Sequence, residues 1–194
     1  MQSWLSTFRE PDIPPIADLA NRIVKASLNG AETLKPSLVA ADEEDRTRRW
    51  FTVICEFLYF FMHLTNRFAY AELGHEQRCK IQKELYPLIV RPTIESIFGH
   101  WPPKLKDGLE NDFVEKLNDA EVEYGECKQL LDSEHPLSCH ALFPKFASNI
   151  CELLGLEKSD VTYLQTFMEV TTLALHSFTE LNPPEAVRGL GKEA

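Results

Sequence analysis

The sequence predicts an all-α fold, a single-domain bundle of six or seven helices arranged around a buried central helix, and three observations predict it. Apolar residues recur every three or four positions over most of the chain, and no stretch of strict alternation competes as a strand. The run from 50 to 70, WFTVICEFLYFFMHLTNRFAY, is apolar nearly all round, which places a helix in an interior rather than at a surface. Glycines and prolines cluster between the periodic segments, where helices start and stop. With 194 residues the chain is long enough for one substantial core, and no low-complexity stretch divides it.

Residues 1–15 read as an N-terminal arm, because Pro11, Pro14 and Pro15 prevent a continuous helix; Trp4, Leu5 and Phe8 are available to dock on the body. A first helix is expected over 16–29, with Leu19, Ile23 and Val24 inward and Gly30 as its stop, followed by a loop through Pro36. Asp42 is placed to cap the central helix, and Glu43, Glu44 and Asp45 suit the positive end of its dipole. Gly74 can end that helix. The helical pattern of 75–98 contains Pro87 and Pro92, each of which removes an internal hydrogen bond, so a kink or a split is expected there.

The clearest helical signal covers 104–131, where Leu109, Phe113, Leu117, Ala120, Tyr124, Cys127 and Leu131 are spaced by three or four throughout. Asp112, Glu115, Asp119, Glu123 and Glu126 form its other side, a charge run of the kind that is normally solvated. After the break at His135-Pro136, a helix is expected over 139–154 with Phe143, Phe146, Ala147, Ile150 and Leu154 inward. A last helix over 159–182, capped by Ser159, has Val161, Leu164, Met168, Leu175 and Phe178 as its apolar stripe. Beyond Pro183-Pro184 the chain reads as a loose C-terminal tail, residues 183–194.

The central helix carries one polar stripe: Arg49, Thr52, Glu56, Tyr59, His63, Asn66, Arg67 and Tyr70. Seven helical steps return a side chain to within roughly 20° of its starting direction, so Glu56 and His63 share a face. The helix over 159–182 repeats this spacing with Glu169 and His176. Buried polar groups need partners, and these two rows are candidates to meet.

Two outcomes follow from that meeting, and the alternative to it is partial exposure to solvent, above all for Glu169 and His176, whose stripe is polar along its whole length. In the first, the seam is structural, with Arg67 or Arg49 neutralising Glu56 and tyrosines satisfying the histidines. In the second, Glu56, His63, Glu169 and His176 form a metal site, with a divalent metal as the cofactor. Along one helix Glu56 and His63 are about 10 Å apart in rise, so any ion must be held by residues from both helices. Bundles that bind two metal ions use carboxylates and repeated Glu-x-x-His motifs from four helices; this sequence has that motif once, at Glu72 to His75, across a helix end.

Other chemistry is thinly represented. His135, Cys139 and His140 lie close together but lack a second ligand cluster for zinc. No glycine-rich phosphate loop occurs, and no local pattern singles out a nucleophile. Phe57, Phe60, Phe61 and Met62 could line an apolar pocket, although core packing accounts for them more simply.

Composition narrows the partners. Thirty acidic residues against 20 basic ones give a formal charge of −10, which disfavours nucleic acid and anionic membranes. The most apolar run, 50–64, is short for a membrane span and contains Glu56 and His63. No basic segment followed by an apolar stretch opens the chain, and five cysteines without CxxC spacing fit reduced thiols, so a cytoplasmic location is expected. The function expected is a non-enzymatic binding or protein-interaction domain, with a protein partner or a second copy of the chain as its ligand; the metal-binding bundle or metal-dependent enzyme is the alternative.

Overall fold

The structure is a computed structural model, and it describes residues 14–38, 40–132, 134–135 and 138–191. These residues are helical with no strand among them; a single isolated bridge joins Gln129 to Ala141. No described helix is long and apolar enough to cross a membrane. The expected arm falls on residues 1–13, outside the described residues, apart from Pro14 and Pro15.

Helix α1 spans Pro15–Leu34, with Pro15 at its first position, where a missing N–H costs nothing. It runs straight through Gly30, which therefore does not stop it. That glycine is buried, and a Cβ built on it would lie 2.5 Å from Cε1 of Phe57. The residue keeps α1 close to its neighbour, a packing role rather than a capping one. A single 3-10 turn, Lys35–Ser37, follows, and the Lys35 ammonium sits 4.5 Å from the Trp50 ring.

Helix α2 spans Glu43–Phe98 and begins as expected, with the Asp42 carboxylate accepting from the Asp45 N–H at 2.8 Å. Its single departure from helical geometry is Gly74, at φ 82° and ψ −180°. The consequence is a hairpin. Phe51 and Phe98 would be about 70 Å apart on a straight helix, yet their rings meet edge to face with centroids 4.9 Å apart. Gly74 is required for its dihedral angles alone, since nothing lies within 4 Å of where its Cβ would be. Residues 43–73 and 75–98 thus form two antiparallel limbs.

The second limb corrects the expectation at its prolines. Neither Pro87 nor Pro92 takes the backbone out of the helical region. Both face solvent, as do Lys83 and Leu88, whose carbonyls lose their usual N–H partners, so water can serve those groups. In the first limb every residue from Phe51 to Asn66 is buried except Thr52 and Glu56.

Helix α3 spans Pro103–Gly125, shorter than its periodicity suggests, and buries Phe113, Leu117, Ala120 and Tyr124 against both limbs; the Phe113 ring lies 4.7 Å from Tyr59 and 6.2 Å from Tyr86. Helix α4 spans Leu142–Leu153. Its Phe146 stacks on Phe60 at 4.2 Å and meets Phe57 at 4.9 Å, so the aromatic cluster of the first limb is core and not a pocket lining.

Helix α5 spans Val161–Leu181 and packs on α4 and α1. Its buried face is Tyr163, Thr166, Phe167, Val170, Ala174 and Leu181. The expected apolar stripe is partly wrong: Val161 is 74% exposed and Met168 52%, with Leu164 also outward. Asn182, in the left-handed region, ends the helix.

The chain does not then become a loose tail. Helix α6 spans Pro183–Gly191, with Pro183 and Val187 buried. Its prolines occupy the first turn, where they start a helix rather than end one. Val187 packs with Ala69 and Ile81 across the base of the α2 hairpin, and Arg188 reaches the Glu72 carboxylate at 3.2 Å. Residues 192–194 lie outside the described residues.

Candidate functional site

The polar stripe of the first limb of α2 turns toward α3, not toward α5. Its two chemically distinct centres, Glu56 and His63, each find partners that the sequence reasoning did not assign. Tyr124, from the last turn of α3, donates its hydroxyl hydrogen to Glu56 Oε1, and Asn149 of α4 donates to the same oxygen at 3.0 Å. Among the described residues no arginine neutralises this carboxylate. Arg49 pairs with Asp45 one turn back, and Arg67 donates to the carbonyls of Cys127 and Lys128, each at 2.6 Å, where it satisfies backbone groups beyond the end of α3.

Burial pushes the Glu56 carboxyl above the ordinary glutamate range, against the opposing hydrogen bonds of Tyr124 and Asn149; the nearby Glu123 charge adds to the rise. The Tyr124 hydroxyl is itself held well above its usual value, by burial and then by the Glu56 charge. Cys55, one residue away, is pushed up to about 12 by burial, which leaves it an inert thiol. The result is a carboxyl that retains its proton more readily than a solvated one.

Glu56 lines a groove of about 350 Å³ between the first limb of α2 and the outer side of α3. Phe51, Tyr59 and Phe113 contribute apolar surface to it. Asp112, Asp119 and Glu123 supply carboxylates on the α3 side against the cations Arg48 and Lys116. Of the acidic face of α3, Asp112, Glu115, Asp119 and Glu126 are exposed as expected, whereas Glu123 is half-buried and pairs with Lys145.

About two turns along the limb, His63 Nδ1 donates to Glu121 Oε2 at 3.2 Å and Asn66 Nδ2 donates to Glu121 Oε1 at 2.9 Å. Burial opposes ionisation of Glu121, yet the His63 hydrogen bond and charge, the Asn66 hydrogen bond and the Arg78 charge together hold its carboxyl below the ordinary range. One seam thus contains two glutamates shifted in opposite directions.

The four residues expected to form a metal site are not brought together. Glu56 and His63 face α3, whereas Glu169 is exposed on α5 and His176, its side chain 71% exposed, lies 3.6 Å from Glu180 of its own helix. The physical reason is that α5 packs on α4 and α1, so its polar row turns to solvent instead of toward α2. Among the described residues no three His, Cys, Asp or Glu side chains converge in a way that would hold a metal ion, and Cys139 is an exposed free thiol.

Sequence reasoning missed Glu121 and Asn149. Glu121 stands four residues after Leu117 and three before Tyr124, at the spacing of the buried face, which separates it from the solvated carboxylates of α3. Asn149 follows Phe146 by three residues and carries no comparable signal. Comparison with known proteins gives no match: no protein-family model, curated protein or solved structure aligns with this chain.

Proposed function

We propose that this protein is a non-enzymatic binding domain whose ligand is a small amphipathic cation, an apolar body carrying an amine, held in the groove between α2 and α3. The reading takes residues 43–73 as the central helix of the bundle and their polar stripe as its functional face. The observation that carries it is the position of Glu56: a half-buried, hydrogen-bonded carboxyl at the wall of a groove with aromatic surface and an excess of carboxylates over cations. The volume falls in the range of small-molecule sites, about 300–1,000 Å³. An ammonium group near Glu56 favours its charged form, so binding strengthens as pH rises through the elevated Glu56 pKa.

Calorimetric titration tests this with three probes of matched shape: phenethylamine, 2-phenylethanol and 3-phenylpropionate. Saturable binding of the amine, weakened by Glu56→Gln, is the expected result. Equal binding of all three, or none by the amine, contradicts the reading.

The outward Val161, Leu164 and Met168, spaced by three and four, favour a second reading in which two copies associate through α5. Sedimentation velocity then shows a dimer that Met168→Glu dissociates, and a monomer at every concentration rejects it.

A further inference from the structure

A second pocket, of about 350 Å³, lies where the α2 hairpin, turning at Gly74, brings Arg78 of its second limb beside His63 and Asn66 of its first. The end of α3 and the segment after it close the pocket with Glu121 and Lys128. His63 is 6% exposed and Asn66 3%. Both have one polar atom satisfied and one without a hydrogen-bond partner among the described residues: His63 Nε2 and Asn66 Oδ1. Arg78 Nε is a third such buried atom. Three orphaned polar atoms on residues that line one cavity are an exception to the rule that buried polar groups find partners.

Glu121 fixes what those atoms offer. A carboxylate only accepts, so Asn66 must present its amide nitrogen to Glu121 and leave Oδ1, an acceptor, turned elsewhere, and His63 must carry a hydrogen on Nδ1, which leaves Nε2 to meet a group that can both donate and accept, as a hydroxyl does. Arg78 contributes N–H donors and a positive charge. Around the pocket stand three cations, Arg67, Arg78 and Lys128, against the single carboxylate of Glu121, a local excess opposite in sign to the chain's net charge. Arg67 is committed to backbone carbonyls, which leaves Arg78 and Lys128 for a ligand.

We propose that this pocket binds a small hydroxycarboxylate: its carboxylate meets Arg78 and Lys128, and its hydroxyl donates its one hydrogen to Asn66 Oδ1 while its oxygen sits beside His63 Nε2. This goes beyond the amine-binding groove, which faces a different part of the seam and has the opposite charge preference. The cations alone would take any anion, so the orphaned atoms of Asn66 and His63 are what demand a hydroxyl.

The test is a set of matched NMR titrations of the full chain: glycolate against acetate, L-lactate against propionate, and L-malate against succinate, at constant ionic strength. At least one hydroxy acid is expected to bind at least about tenfold more tightly than its partner lacking the hydroxyl, the discrimination expected of a site whose buried polar atoms are otherwise unpaired. Its binding shifts the His63 imidazole resonances. Arg78→Gln, at a half-buried side chain with no hydrogen-bonded partner among the described residues, weakens that binding about tenfold or more, whereas Lys83→Gln, which removes an equal charge from an exposed site on the same limb, leaves it unchanged. The proposal is overturned if no hydroxy acid binds, if the hydroxyl makes no difference, or if Arg78→Gln and Lys83→Gln behave alike. Because these probes are anions and the groove selects amines, failure here leaves the groove reading standing, and failure there leaves this one.

Discussion

The first limb of α2 and helix α5 present the same sequence pattern and opposite structures. Each is long, largely apolar, and carries a glutamate and a histidine seven residues apart, Glu56 with His63 and Glu169 with His176. The limb packs against α1, the second limb, α3, α4 and α6, and Glu56, His63, Asn66 and Arg67 of its polar row find partners within the protein. Helix α5 rests on α4 and α1 and leaves its row in solvent. Spacing along a helix therefore establishes which side chains share a face, and the neighbours alone establish what that face meets.

The largest effect that would break this comparison is a truncation in each helix. Phe60→Ala should cost about 3–5 kcal/mol, because it removes a fully buried ring stacked on Phe146. Met168→Ala on the outward face of α5 should change stability by less than about 0.5 kcal/mol. Urea denaturation compares the two, and similar losses would mean that α5 is also enclosed.

Glycine substitution sharpens the contrast. Gly30→Ala should destabilise by about 1–3 kcal/mol, because the new methyl group has to displace the Phe57 ring. Gly108→Ala in α3, with open space at its Cβ, should stabilise by about 0.5–1 kcal/mol. Thermal melts of the pair report the difference in sign.

The seam itself should respond to pH in two directions. Glu56 has a raised folded-state pKa, so its contribution to stability is full below the unfolded value and is lost as pH rises through the folded value. Glu121 has a lowered one, so its contribution is present above the unfolded value and is lost as pH falls through the folded value. Glu56→Gln should accordingly gain stability relative to the parent at neutral pH and lose that advantage in acid. Glu121→Gln should be destabilised at neutral pH and approach the parent in acid. Denaturation midpoints over pH 3–8 check both slopes. The smallest effect is expected at His176→Ala, within about 0.5 kcal/mol at any pH, since its side chain meets only Glu180 at the surface.

Much of the backbone was legible from local chemistry. The Asp42 cap, the end of the first limb at Gly74 and the buried positions of α3 all follow from signals within one turn or from a regular period. The errors arose where a local signal has two meanings. Pro183-Pro184 reads as the end of a helix and instead begins one, and Gly30 reads as a stop although its small size serves packing against a residue 27 positions away. Helix α5 is apolar on more than one side, so periodicity could not decide between the Tyr163–Phe167–Val170 face and the Val161–Leu164–Met168 face. The site was half legible: Glu56, His63 and Asn66 were found by their presence in an apolar run, whereas Tyr124, Glu121 and Asn149 reach them across 55 to 93 residues of chain. Tertiary approach of that kind leaves no mark in spacing.

The central claim is that Glu56 is a half-buried, desolvated carboxyl held by α3 and α4, and its own titration tests this most directly. In protein labelled with carboxyl-¹³C glutamate, with Glu56→Gln used to assign the resonance, Glu56 should titrate above the ordinary glutamate value of about 4.3. Tyr124→Phe should raise it further by removing a hydrogen bond to the charged form. A midpoint at or below the ordinary value, unmoved by Tyr124→Phe, would contradict the account.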